Sequence, residues 1–151
     1  HPEQLAQPKS QNGALGDILN YQQDIDGIPV VDAQVRTHIN NKNEVFMVNS
    51  TYQPGIDPRQ IDKNPSVSAQ EAVKIAMDHA LSLDPNPQDH ATPTYQGPVL
   101  VIHKFSALNN FDIAWQITIS QPWLGVEHAV GQYFVNGHRP NVWERRESAI
   151  P

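Results

Sequence analysis

Residues 21–39 read YQQDIDGIPVVDAQVRTHI. Asp26-Gly27 is the two-residue signal of a tight hairpin turn, because both positions tolerate a positive φ. Pro29 falls at the entry of the following strand, where a missing N–H does least harm. Val31, Ala33, Val35, Thr37 and Ile39 then alternate with Asp32, Gln34, Arg36 and His38. That period of two predicts a half-buried antiparallel strand. Upstream, residues 17–24 (DILNYQQD) read as its strand partner, with a short helix as the alternative. Downstream, Asn40-Asn41-Lys42-Asn43 is a turn. Val45 and Met47 start a return strand, with Phe46 and Val48 on its other face. Residues 17–52 are thus expected to form a three-stranded meander.

The flanking segments differ in character. Residues 1–16 are polar, with two prolines and an Asn-Gly, and read as a flexible leader. Residues 53–67 (QPGIDPRQIDKNPSV) form a linker. A helix follows, with Ser68 as N-cap and Glu71 as the third residue of a capping box. Ala69, Ala72, Val73, Ala76, Met77 and Ala80 keep an apolar stripe at helical spacing. Asp84-Pro85-Asn86-Pro87 stops the helix near Leu83. After a loop through Gly97-Pro98, strands are expected over Val99–Phe105, Phe111–Ser120, Gly131–Asn136 and Asn141–Arg146. In the second of these, Phe111, Ile113, Trp115, Ile117 and Ile119 alternate with polar or small residues. Two strand groups, one of them covered by a helix and without βαβ alternation, indicate an α+β class of two small modules.

The chain has 151 residues, 13 prolines, no cysteine and a formal charge of −6. Its length suits one ordinary domain or two small ones. The absence of cysteine excludes disulfides, thiolate metal sites and thiol nucleophiles. An acidic chain whose single adjacent basic pair, Arg145-Arg146, is flanked by Glu144 and Glu147 does not fit nucleic acid. No apolar run approaches the ~20 residues of a membrane span.

A catalytic centre is not legible. The histidines are 1, 38, 79, 90, 103, 128 and 138, and no two lie three to five residues apart. The His-Glu-x-x-His pattern of zinc hydrolases is therefore missing. So are the G-x-S-x-G turn of a serine nucleophile and the glycine loops that cradle phosphate. Glu44, Asp112 and Glu127 have no assignable role, and solvated charges on strands and loops account for them. The aromatics Tyr21, Trp115, Tyr133 and Trp143 at strand spacing read as core before they read as a ligand groove. Asn49-Ser50-Thr51 fits the short glycosylation pattern.

Taken in order, these segments resemble the propeptide of thermolysin-like zinc metalloproteases. The similarity starts in YQQDIDGIPVVDAQVRTHINNKNEVFMVNSTYQP, where Tyr21, Gln22, Gly27, Ile28, Pro29, Val30, Val35, His38, Val45, Val48 and Asn49 fall at comparable places. It continues in NPSVSAQEAVKIAMDHAL and in the strands PVLVIHKF, FDIAWQITIS and GQYFVNGHRPNVW, which carry Trp115 and Phe134. Two departures stand out. The family's Asp-Ala-x-Thr-Gly turn is here Asn136-Gly137-His138-Arg139-Pro140, and the Trp123-Leu124 loop has no counterpart.

The resemblance implies an N-terminal propeptide module over residues 17–64 and a cystatin-like, PepSY-type module over 65–146. Residues 147–151 would be a C-terminal tail. It also implies a non-catalytic, secreted or periplasmic region without a cofactor. Its partner would be the cognate zinc metalloprotease catalytic domain, which it would help to fold and would inhibit. The tail residues Glu147, Ser148, Ala149, Ile150 and Pro151 would contact the protease cleft. Two alternatives stay open: a standalone protein of the same fold acting in trans as inhibitor or binding module, and an enzyme with a dispersed site.

Overall fold

The computed structural model describes residues 9–13, 16–104 and 110–147. It divides into two compact units, His1–Gln60 and Ile61–Pro151. In the first, β1 (Lys9–Gly13), β2 (Gly16–Ile25), β3 (Ile28–Ile39) and β4 (Val45–Ser50) are antiparallel neighbours in that order. The meander therefore has a fourth strand where a flexible leader was expected. Lys9–Gly13 pairs with Gly16–Asn20 through the backbone ladder. A polar strand needs no hydrophobic alternation to satisfy its N–H and C=O groups, so the pattern gave no sign of it.

The β2–β3 turn is as the sequence requires. Ile25 pairs with Ile28 across Asp26 (φ 52°) and Gly27 (φ 84°), both in the left-handed region of a type I′ turn. The alternation in β3 is not continuous, however. Gln22 pairs with Gln34 but Asp24 with Pro29, so extra β3 residues bulge out between them. Asp32 takes φ 62° there. The bulge resets the phase: Val30 and Ala33, three apart, are both fully buried.

In the second unit, α1 (Ala69–Ser82) lies on a four-stranded antiparallel sheet of β5 (Thr94–Lys104), β6 (Phe111–Ser120), β7 (Val130–Asn136) and β8 (Val142–Glu147). Ser68 caps the helix, its side-chain oxygen accepting from the Glu71 N–H. Of the apolar stripe, Ala72, Ala76 and Ala80 are fully buried and pack on Ile117, Ile119, Tyr133 and Val135. Three alanines at one face let the helix backbone approach the sheet closely. β5 starts earlier than expected, because it runs through the Gly97-Pro98 segment with a register shift between Gln96 and Val99. The expected strand end at Phe105 lies outside the described residues. The fold is α+β, mostly antiparallel sheet with one helix.

Candidate functional site

The hairpin residues singled out from the sequence hold the bulge together. The Gln22 side-chain amide donates to the carbonyls of Val30 (2.8 Å), Ala33 (3.0 Å) and Gln23 (2.8 Å). These carbonyls lie at the register shift between β2 and β3, so the Gln22 amide bridges both sides of the bulge. Tyr21 pairs with Val35 in the ladder. Gly27 makes the turn, Ile28 and Pro29 begin β3, and Val30 is its buried anchor. Sequence reasoning missed Gln23. It is completely buried and grips the backbone of Gln53, donating to its carbonyl (3.0 Å) and accepting from its N–H (2.8 Å). That contact ties the meander to the segment that follows it.

Asn49 sits on β4, opposite Arg36, with its amide beside the His38 ring at 3.3 Å. β4 is exposed along its whole length. Val45, Phe46, Met47 and Val48 are each about half exposed, at 47–58 %. Among the described residues of this unit, β4 pairs only with β3. Its outer edge therefore presents backbone hydrogen-bonding groups beside four consecutive apolar side chains, a surface suited to another chain.

Trp115 and Phe134 take opposite faces of the second sheet. The Trp115 indole N–H donates to the Val67 carbonyl (2.8 Å) and pins the entry to α1. Phe134 faces away from the helix, stacked against the buried His103 ring (4.3 Å between centroids), with the Arg146 guanidinium 5.3 Å from its centre. His103 bonds Glu144 (2.8 Å), which also accepts from Arg146 (2.8 Å). The altered turn keeps its job by other means. The Asn136 side-chain oxygen accepts from the N–H groups of His138 (2.8 Å) and Arg139 (3.2 Å). The Gly137 carbonyl accepts from the N–H groups of Ser66 and Val67.

At the end of β8, strand alternation separates the two basic residues. Arg146 joins Glu144 on the Phe134 face. Arg145 faces the helix side, donating to the Tyr133 hydroxyl (3.0 Å), the His128 carbonyl (3.3 Å) and Glu147 (3.5 Å). Burial pushes the Tyr133 hydroxyl pKa up, against the opposing pull of Arg145. Glu147 pairs with Gly131 in the ladder and is bonded to the His128 ring. That bond, with the charges of His128 and Arg145, holds its carboxyl below the usual carboxylate range. Glu147 is thus the last rung of a strand; Ser148, Ala149, Ile150 and Pro151 lie outside the described residues.

Beside Glu147 opens a cleft of about 540 Å³, lined by Leu83, Pro85, Trp123, Leu124, His128 and Arg145. A polar knot anchors one wall. Buried Asp84 accepts from the Trp123 indole N–H (2.8 Å) and the Asn86 N–H (2.9 Å), and is bonded to His90 (2.7 Å), whose ring stacks on Trp123. Burial works to raise the Asp84 pKa, but the hydrogen bonds and His90 outweigh it and leave it below the usual value. Asp84 was legible only as a helix stop.

Of the unassigned carboxylates, Asp112 meets His138 at 3.3 Å. Glu44 lies beside the β3–β4 turn, and Glu127 is exposed in the turn after Gly125. Among the described residues, no three His, Asp or Glu side chains gather in a geometry that would hold a metal ion, and no helix is long and apolar enough to cross a membrane.

Comparison with known proteins bears on both units. Residues 9–52 match the family described as Fungalysin/Thermolysin Propeptide Motif, which bears out the resemblance read from Tyr21 onward. The match takes in β1, the strand that hydrophobic patterning passed over. The fold is similar to that of the Bacillus megaterium YpeB C-terminal domain, with a TM-score of 0.52 at 12 % identity. That alignment covers 98 % of this chain and 58 % of the other, so the chain spans little more than half the length of that neighbour. At such identity the likeness is one of fold, and it fits the PepSY-type expectation. No curated protein sequence matches the chain.

Proposed function

We propose that this chain is the propeptide of a secreted thermolysin-like metalloprotease, acting as an intramolecular folding chaperone and inhibitor of the catalytic domain. The observation that carries this reading is the propeptide motif over residues 9–52. A region of this kind is non-catalytic, and its chemistry is that of a binding surface.

The physics of such a role is simple. A folded prodomain that binds native protease and not unfolded protease stabilises the native form by mass action. Covalent attachment raises its effective concentration to about the millimolar range, so weak contacts suffice before cleavage. The β4 edge offers backbone groups for strand addition. On this reading the tail from Glu147 contacts the protease cleft. Its secreted location follows from that of its partner.

The test is inhibition. The purified chain is expected to slow a mature thermolysin-like protease from its own source at micromolar concentration or below, and to raise the yield of active enzyme when added to the denatured catalytic domain. Absence of both effects across the thermolysin-like enzymes of that source would overturn the reading.

A further inference from the structure

Asn136-Gly137 is one of two Asn-Gly dipeptides in the chain, the other being Asn12-Gly13. Such a pair marks a turn. It is also the pair most open to self-modification. Glycine has no side chain to crowd its backbone nitrogen. That nitrogen can attack the amide carbon of the preceding asparagine and close a five-membered succinimide.

The β7–β8 turn prepares this reaction and then withholds it. The Asn136 side-chain oxygen accepts from the N–H groups of His138 (2.8 Å) and Arg139 (3.2 Å). Attack on the amide carbon would place negative charge on that same oxygen. Two N–H groups aimed at it stabilise such a charge as an oxyanion hole does. The electrophile is thus held and polarised. The nucleophile is not free. The Gly137 N–H donates to the Ile113 carbonyl (3.0 Å), and a carbonyl that holds the proton keeps it from solvent base. The Ile113 side chain also closes over the glycine, where a Cβ would sit 2.6 Å from Ile113 Cγ1. Asn136 and Gly137 are both buried, while the adjoining Arg139 and Pro140 are exposed.

We propose that Asn136 is a deamidation site, gated by the hydrogen bond between Gly137 and Ile113. When the turn opens, solvent base takes the Gly137 N–H proton. The nitrogen bonds to the Asn136 side-chain carbon, and the side-chain nitrogen leaves as ammonia. Water then opens the succinimide at either carbonyl. Opening at the side-chain carbon gives aspartate at position 136, and opening at the main-chain carbon gives isoaspartate. One water enters, one ammonia leaves, and no other reactant is needed. The two products differ in what they do to the fold. Aspartate keeps an oxygen for the His138 and Arg139 N–H groups. Isoaspartate routes the main chain through one more carbon, a lengthening of about 1.5 Å. That extra length falls in a turn whose Gly137 carbonyl accepts from the Ser66 (2.8 Å) and Val67 (3.0 Å) N–H groups. The isoaspartate form does not restore those bonds, so the modification is a one-way record of turn opening.

The experiment uses the full chain, held at mildly alkaline pH in a series of urea concentrations. Mass spectrometry of peptides reads conversion at Asn136 and at Asn12 separately, and fragmentation tells isoaspartate from aspartate. Hydrogen exchange of the Gly137 amide, followed by NMR in matched samples, reads opening of the turn. Conversion at Asn136 is expected to rise in step with Gly137 exchange, and to be at least tenfold faster in the unfolded chain than in the native one. Ile113→Ala, which uncovers Gly137, should speed it; if that variant does not fold, the urea series carries the test alone. Asn136→Asp should keep the wild-type urea midpoint, while the isolated isoaspartate form should unfold at lower urea. Conversion as fast in the native chain as in the unfolded one would remove the gate. An intact Asn136 where Gly137 exchanges freely and Asn12 has converted would remove the site. An isoaspartate form as stable as the wild type would remove the one-way consequence.

Discussion

Replacing Gln22 by alanine should open the β2–β3 hairpin more than any exposed substitution near it. The Gln22 amide serves the carbonyls of Val30 and Ala33, both at residues with no exposure, in a bulge of the β2–β3 ladder. A hydrogen bond contributes about 0.5–1.5 kcal/mol net, and an orphaned buried acceptor costs about 1–3 kcal/mol. Two carbonyls left unpaired would therefore cost about 2–6 kcal/mol. At 1.4 kcal/mol per factor of ten, the lower figure is about a thirtyfold rise in the opening equilibrium. Native-state amide exchange over residues 21–39, read by mass spectrometry, measures that equilibrium directly. The control is Gln34→Ala, whose side chain is exposed and which should change exchange by less than about threefold. All three tryptophans lie beyond residue 60, so their fluorescence tracks the second unit separately. If Gln22→Ala exchanges no faster than the control, the amide is not what holds the bulge.

Other outcomes are equally specific. Asp84 has a folded pKa below its ordinary value, so its contribution is complete above about pH 4 and is lost as pH falls through the folded value; Asp84→Asn should lower stability at pH 7 and flatten its decline in acid, measured by urea unfolding across pH. In Gly137→Ala, the new Cβ would sit 2.6 Å from Ile113 Cγ1 and 3.0 Å from its backbone oxygen, an overpacking that should cost about 1–3 kcal/mol; an unshifted urea midpoint would show that buried Ile113 yields freely. Deleting residues 148–151 should weaken protease inhibition while the thermal midpoint stays put, since Glu147 and its bond to His128 remain; undiminished inhibition would move the contact to the β4 edge.

Period-two patterns made the strands legible. The hairpin over residues 21–39, the capped helix at Ser68 and the alternation of Phe111–Ser120 all follow from local residue chemistry that agrees with the final packing. What stayed hidden was non-local or backbone-driven. β1 pairs through main-chain groups, and its Lys-Ser-Gln-Asn-Gly sequence carries no hydrophobic signal. The phase slip between Val30 and Ala33 depends on Asp32 adopting a positive φ, which aspartate tolerates without advertising it. The cleft wall joins Leu83 at the end of α1 to Trp123 some forty positions on, through a carboxylate that looked like a helix stop. The Glu144–Glu147 run is the instructive middle case. Its two like pairs are separated simply by alternation along β8, a consequence available from the strand assignment alone.

The turn between β7 and β8 gives the second unit a particular topology of dependence. Gly137 holds Ser66 and Val67 through its carbonyl, and His138 lies against the Asp62 carbonyl, 76 positions away in the chain. The start of the helix is thus fastened by a turn near the other end of the unit. During synthesis that clasp closes only after the 137–141 segment has emerged, and closing so long a loop delays it further. The reverse also holds. A single cut in that turn converts an intramolecular clasp into an encounter between two fragments, which dilution then separates.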